Sequence, residues 1–128
     1  MARILVAEDD PHILRVISLW LKRQGHDVVE ARNGLAALEL YEAQRPEILI
    51  TDINMPGMDG TELLRRVLAQ ERLPRGIVVL TNRWDHREIG ESLAEAGVHT
   101  VPKPFSPVRL AELIQEIDGV TAQHRTPG

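Results

Sequence analysis

Five short apolar runs, separated by longer stretches of helical spacing, constrain the fold of this 128-residue chain more than any other feature. Ile4–Ala7, Ile48–Ile50 and Ile77–Leu80 are continuous and rich in β-branched residues, the pattern of strands buried on both faces. Val28-Val29 and Val98…Val101 are shorter or interrupted by polar residues and read as edge strands. Between these runs Ile13, Val16, Ile17 and Trp20 recur at helical intervals, as do Leu63 with Val67, Leu64 with Leu68, and Leu110, Leu113, Ile114 and Ile117. Weaker sets around Leu35–Tyr41 and Ile89–Leu93 agree. Asp10-Pro11 and Ser106-Pro107 each read as a helix N-cap followed by proline at the first helical position. Asp59 and Glu62 have the spacing of a capping box.

Strict strand–helix alternation implies a parallel sheet with right-handed crossovers and helices on both faces. Three dry strands inside two wetter ones fit an α/β fold, a (βα)5 doubly wound sheet in the flavodoxin-like order 2-1-3-4-5. Composition agrees with one globular domain: 43% of residues are apolar and 27% charged. That domain is expected over residues 1–118, with 119–128 (GVTAQHRTPG) a flexible tail or linker stub. A net charge of −4 with no basic stripe argues against direct nucleic-acid binding by this chain. The absence of cysteine removes disulfides and thiolate metal sites and fits a reducing compartment. Neither a signal segment nor a membrane-length apolar run is visible, so the expected location is cytoplasmic.

In an open parallel sheet, ligands bind at the carboxyl ends of the strands near the reversal in strand order. The polar residues there are Glu8-Asp9-Asp10 after the first strand, Thr51-Asp52 on the third, Thr81-Asn82 on the fourth and Pro102-Lys103-Pro104 on the fifth. Neighbouring strands lie about 4.8 Å apart, so Asp9 and Asp52 are expected to share one small cleft. Two anions about 4 Å apart repel by roughly 1 kcal/mol in water and by more near a protein surface. Such a cluster raises a pKa, recruits a cation, or does both. All-oxygen ligands suit Mg²⁺, and Lys103 supplies a second positive charge. Each residue alone has a plainer role: Asp10 as a cap, Glu8 or Asp9 as a solvated strand end, Asp52 as a turn residue, Thr81 as a strand terminus, Lys103 as a surface lysine. Convergence of Glu8, Asp9, Asp52, Thr81 and Lys103, five polar residues from four strands, on one rim is what those roles do not predict.

The segments ILVAEDDP, ILITDINMPGMDG, IVVLTN and VPKPFSP, in this order and spacing, resemble the receiver domain of two-component response regulators over residues 3 to about 118. The resemblance implies that Asp52 is the phosphoacceptor. It makes Asp9 a direct Mg²⁺ ligand, Glu8 a ligand through water and the Asn54 main-chain carbonyl a further ligand. Thr81 then corresponds to the hydroxyl that moves toward the phosphoryl group, Lys103 to its cationic partner, and the Lys103–Pro104 peptide is expected to be cis. The implied partners are a sensor histidine kinase or phosphotransfer protein and an output domain or target protein. Phosphorylation is expected to shift a face made by the fourth helix, fifth strand and fifth helix, which is also a possible homodimer face. No multiple-turnover activity on an external substrate is implied.

Two departures from the family pattern stand out. Thr100 occupies a position that is usually aromatic, with His99 and Trp84 as nearby substitutes, and Asn82 and Arg83 follow Thr81 where a small residue is common. Bulk at Asn82 is expected to alter dephosphorylation kinetics. Three other classes fit less well. An aspartyl-phosphate hydrolase of the haloacid dehalogenase type carries an acid two residues after its nucleophile, where this chain has Asn54. A flavin-binding protein needs a phosphate cradle where this chain has acids. An unphosphorylated docking module leaves the charged rim unexplained.

Overall fold

The computed structural model describes residues 2–81 and 97–125. In chain order the elements are β1 (Arg3–Ala7), α1 (Pro11–Arg23), β2 (Asp27–Ala31), α2 (Gly34–Gln44), β3 (Ile48–Asp52), α3 (Gly60–Leu68), β4 (Gly76–Thr81), β5 (His99–Pro102) and a C-terminal helix, α4 (Pro107–Arg125). The helix expected around Ile89–Leu93 lies outside the described residues, as do Asn82, Arg83 and Trp84. All strand pairs are parallel and the order is β2-β1-β3-β4-β5, as the sequence implied.

Alternation along the strands divides the core into two layers. Leu5, Ala7, Leu49 and Val79 face one side and pack with Leu38, Leu63 and Val67. Ile4, Val6, Ile50 and Leu80 face the other and pack with Leu14, Ile17, Leu110 and Ile114. β3 and β4 are buried along their whole length, whereas β2 and β5 are only partly covered. Each fully buried leucine or isoleucine contributes roughly 1.5–3 kcal/mol. The dry central strands therefore hold the platform whose carboxyl edge carries the polar residues.

The helix starts follow the expected chemistry with one exception. The Asp10 carboxylate accepts from the N–H groups of His12 and Ile13, with Pro11 at the first helical position. The Ser106 hydroxyl accepts from the Arg109 N–H at 3.4 Å. Asp59 accepts from the Glu62 N–H at 2.9 Å, but the Glu62 carboxylate turns to Arg65 and Arg66. The competing guanidinium groups leave half a capping box.

Two expectations need revision. On α1 the buried stripe is Leu14, Ile17, Ser18 and Leu21, while Val16 is 39% exposed and Ile13 and Trp20 are half-buried. Ser18 interrupts the hydrophobic signal because its hydroxyl donates to the Glu30 carboxylate, which lets a polar residue occupy the inner face. The expected tail also differs, since α4 continues through residues 119–125. Gly119 costs an interior helix only about 1 kcal/mol, and no proline follows until Pro127. Among the described residues, no helix is long and apolar enough to cross a membrane.

Candidate functional site

Strand register assembles the site. Ala7 of β1 lies opposite Thr51 of β3, so the next residues, Glu8 and Asp52, emerge side by side. The Glu8 N–H bonds to the Ala31 carbonyl at 3.0 Å, extending the β1–β2 ladder by one step. Asp52 ends β3 opposite Leu80, which puts Thr81 at the adjoining end of β4. Lys103 follows β5, and its own N–H donates to the Thr81 carbonyl at 2.6 Å. The Lys103–Pro104 peptide is cis, as the resemblance implied.

The side chains converge from these ends. Lys103 Nζ lies 3.0 Å from Asp52 Oδ2 and 3.2 and 3.5 Å from the two Glu8 oxygens. Glu8, Asp52 and Thr81 are buried, and Asp9 is exposed at the mouth. Glu8, Asp9 and Asp52 each present a carboxylate oxygen within 4.8 Å of the others. The Asn54 N–H reaches Asp52 Oδ1 at 3.4 Å. Of the residues singled out from sequence, Glu8, Asp9, Asp52 and Lys103 thus form one cluster. Asn54 touches it through its backbone, and Thr81 sits on the neighbouring strand end. His99 is exposed on β5 and Thr100 half-buried beside it.

Burial pushes the Glu8 carboxyl up from 4.5 to about 7, with the hydrogen bond and charge of Asp52 adding to the rise and Lys103 opposing it. For Lys103, burial disfavours the charged form, yet Asp52 and then Glu8 outweigh it and hold the ammonium above its ordinary value. One ammonium against three carboxylates leaves the fully ionised cluster two charges negative. The donor set is all oxygen and carries excess negative charge, so the residues present fit a hard divalent cation.

Some features of the site were not singled out from sequence. A hollow of about 480 Å³ opens beside Lys103, lined by His12, Ile13, Val16, Pro104 and Phe105. Its signal was present in the Ile13/Val16 pair: both line this hollow, and Ile13 also packs against the core. Gly60 was read only as part of a cap. A methyl group there would overlap the Asp52 carbonyl oxygen and lie 2.7 Å from Ile53 Cα, so the glycine is required for close approach.

Comparison with known proteins agrees with this geometry. Residues 4–115 match the family model of the response regulator receiver domain. The chain is 38% identical over 104 residues to the transcriptional regulatory protein AfsQ1 of Streptomyces coelicolor, covering 81% of this chain and 45% of that protein. It is 36% identical over 121 residues to a chemotaxis protein CheY homolog of Campylobacter jejuni, covering 91% of this chain and 92% of that protein. The chain thus spans less than half of the first relative and nearly all of the second. Among solved structures, the receiver domain of the Francisella response regulator 1452 superposes with a TM-score of 0.85 at 26% identity, over 94% of this chain and 99% of that one. Fold, site geometry and family match converge: the chain belongs to the response regulator receiver domain family of two-component signalling.

Proposed function

We propose that Asp52 accepts a phosphoryl group from a phosphohistidine on a sensor histidine kinase or phosphotransfer protein. A carboxylate oxygen of Asp52 attacks phosphorus, the nitrogen–phosphorus bond of the donor breaks with its electron pair returning to the imidazole, and an acyl phosphate forms. The observation that carries this reading is the Asp52 carboxylate, buried and held 3.0 Å from Lys103 Nζ at the centre of the acidic cluster. Phosphoryl transfer needs little covalent help from a protein; it needs position and positive charge around the equatorial oxygens. Lys103 supplies one such charge from the chain itself. Mg²⁺ held by Asp9, Asp52 and the Asn54 carbonyl, with Glu8 behind them, supplies the rest of the charge neutralisation when bound. Thr81 closes the site from β4. The apolar hollow beside Lys103 gives a donor protein a surface to sit on within reach of Asp52.

The acyl phosphate is labile, so the mark is temporary and the chain acts on its own aspartate without turning over an external substrate. The packed core of the receiver falls within residues 1–118, and the protein acts in the cytoplasm. Its output passes through β5 and α4 to an output domain, a target protein or a second copy. Thr100 in place of an aromatic side chain means that the switch works without a rotating ring at that position. The test is incubation with Mg²⁺ and a small acyl-phosphate donor. Incorporation of about one phosphoryl group per chain, lost in Asp52→Asn, is the expected result. Turnover of many equivalents indicates a hydrolase, and absence of labelling in the wild-type chain indicates a docking module; either outcome overturns the reading.

A further inference from the structure

The loop Ile53–Asp59 carries the Asn54 backbone and leaves β3 directly after Asp52. Two backbone contacts clamp it. At its far end the Gly60 N–H donates to the Ile53 carbonyl at 2.8 Å, closing the loop on its own root. At its side it abuts α2: a methyl group on Gly34 would overlap the Met58 carbonyl oxygen and lie 2.8 Å from the Met58 carbonyl carbon and 2.9 Å from its Cβ. Gly34 is not among the glycines with positive φ. The residue is therefore glycine for closeness, not for conformation.

α2 is a firm stop at this point. The Asn33 side chain caps it by accepting from the Ala36 N–H at 2.8 Å, and Gly34, Ala37, Leu38 and Tyr41 are buried along its inner face. Met58 in turn packs against the same core layer as Ala37 and Leu38. Asn54 lies between the Asp52 root and the Met58 contact, with its N–H on Asp52 Oδ1. Met58 stands four positions after Asn54 on the same loop.

We infer that Gly34 is a positioning residue for the metal-facing loop. It sets where the Asn54 backbone stands relative to Asp52 and Asp9 and so sets Mg²⁺ affinity. This rests on the metal reading given above. Groups bonded directly to a metal ligand typically change affinity about 10–100-fold; Gly34 acts one step further out, and Gly34→Ala is expected to weaken Mg²⁺ several-fold, near the lower end of that range.

The experiment is calorimetric titration of the unphosphorylated chain with Mg²⁺, alongside thermal unfolding. Gly76→Ala is the matched comparison. There a methyl group would meet Ile117 Cγ2 at 2.6 Å, at the start of β4 and the opposite edge of the sheet. Both variants lose stability; only Gly34→Ala is expected to lose Mg²⁺ affinity. Met58→Ala keeps the backbone and Cβ that abut Gly34 but removes the side chain that holds the loop against the core layer beside α2; it is expected to weaken Mg²⁺ several-fold, which keeps the test intact if Gly34→Ala does not fold. Unchanged affinity in Gly34→Ala or in Met58→Ala, or an equal loss in Gly76→Ala, overturns the inference while leaving the metal site standing. Failure of the wild-type chain to bind Mg²⁺ overturns the site reading itself, and the inference with it.

Discussion

Glu8 shows what three consecutive acids at a strand end do once folded. In the unfolded chain its carboxyl titrates near 4.5; in the fold, burial and Asp52 bring it to about 7. Between those values the folded protein keeps a proton that the unfolded chain gives up. The stability linked to Glu8 is thus complete below about 4.5 and is lost as pH rises through about 7. In Mg²⁺-free buffer, the melting temperature of the wild type is expected to fall relative to Glu8→Gln between about pH 5 and pH 7.5. Parallel curves for the two proteins contradict this account of Glu8. The charged members of the site were legible in the sequence because acids and a lysine stand out where apolar runs end. Gly34 and Met58 were not, because their contact joins the start of α2 to a loop remote in sequence and depends on a missing side chain.

At the scale of the element, α1 separates what periodicity shows from what it hides. The apolar residues Ile13, Val16, Ile17 and Trp20 gave the helix its signal, but its inner stripe includes Ser18, satisfied by Glu30. Ile17→Ala is expected to cost roughly 2–5 kcal/mol, whereas Val16→Ala stays within about 0.5 kcal/mol; equilibrium unfolding in urea measures both, and equal costs contradict the assignment. The turn between α1 and β2 carries a second titrating group. His26 is buried with Nδ1 accepting from the Ala2 N–H at 3.1 Å, a bond that an imidazolium cannot accept. Burial lowers its pKa from the ordinary 6.5, with the Asp118 carboxylate only partly offsetting the effect. The sign is opposite to that of Glu8. Stability is present above about 6.5 and declines as pH falls through the lowered value. His26→Gln, whose side-chain oxygen retains an acceptor, is expected to flatten the acid limb of the unfolding curve. An acid limb as steep as that of the wild type rules this out.

Across the whole molecule, strand order does what local sequence cannot. It brings residues about ninety-five positions apart, Glu8 and Lys103, to 3.2 Å. That order was legible because dry runs alternate with wetter ones and helices separate them, which leaves few ways to cover both faces of a parallel sheet. The end of α4 was less legible: among the described residues the buried stripe ends at Ile117, while the helical backbone continues to Arg125. Binding linked to the folded state stabilises the whole domain. Mg²⁺ at one hundred times its dissociation constant is expected to add about 2.7 kcal/mol and raise the melting temperature, and Asp9→Asn to lose most of that rise. A full Mg²⁺-dependent rise in Asp9→Asn excludes Asp9 as a ligand. The central claim is that the gathered carboxyl edge makes Asp52 the phosphoacceptor. Peptide mapping of the chain after phosphorylation from a small acyl-phosphate donor tests it most directly: the phosphoryl group is expected on the peptide containing Asp52, and its appearance on any other residue contradicts the account.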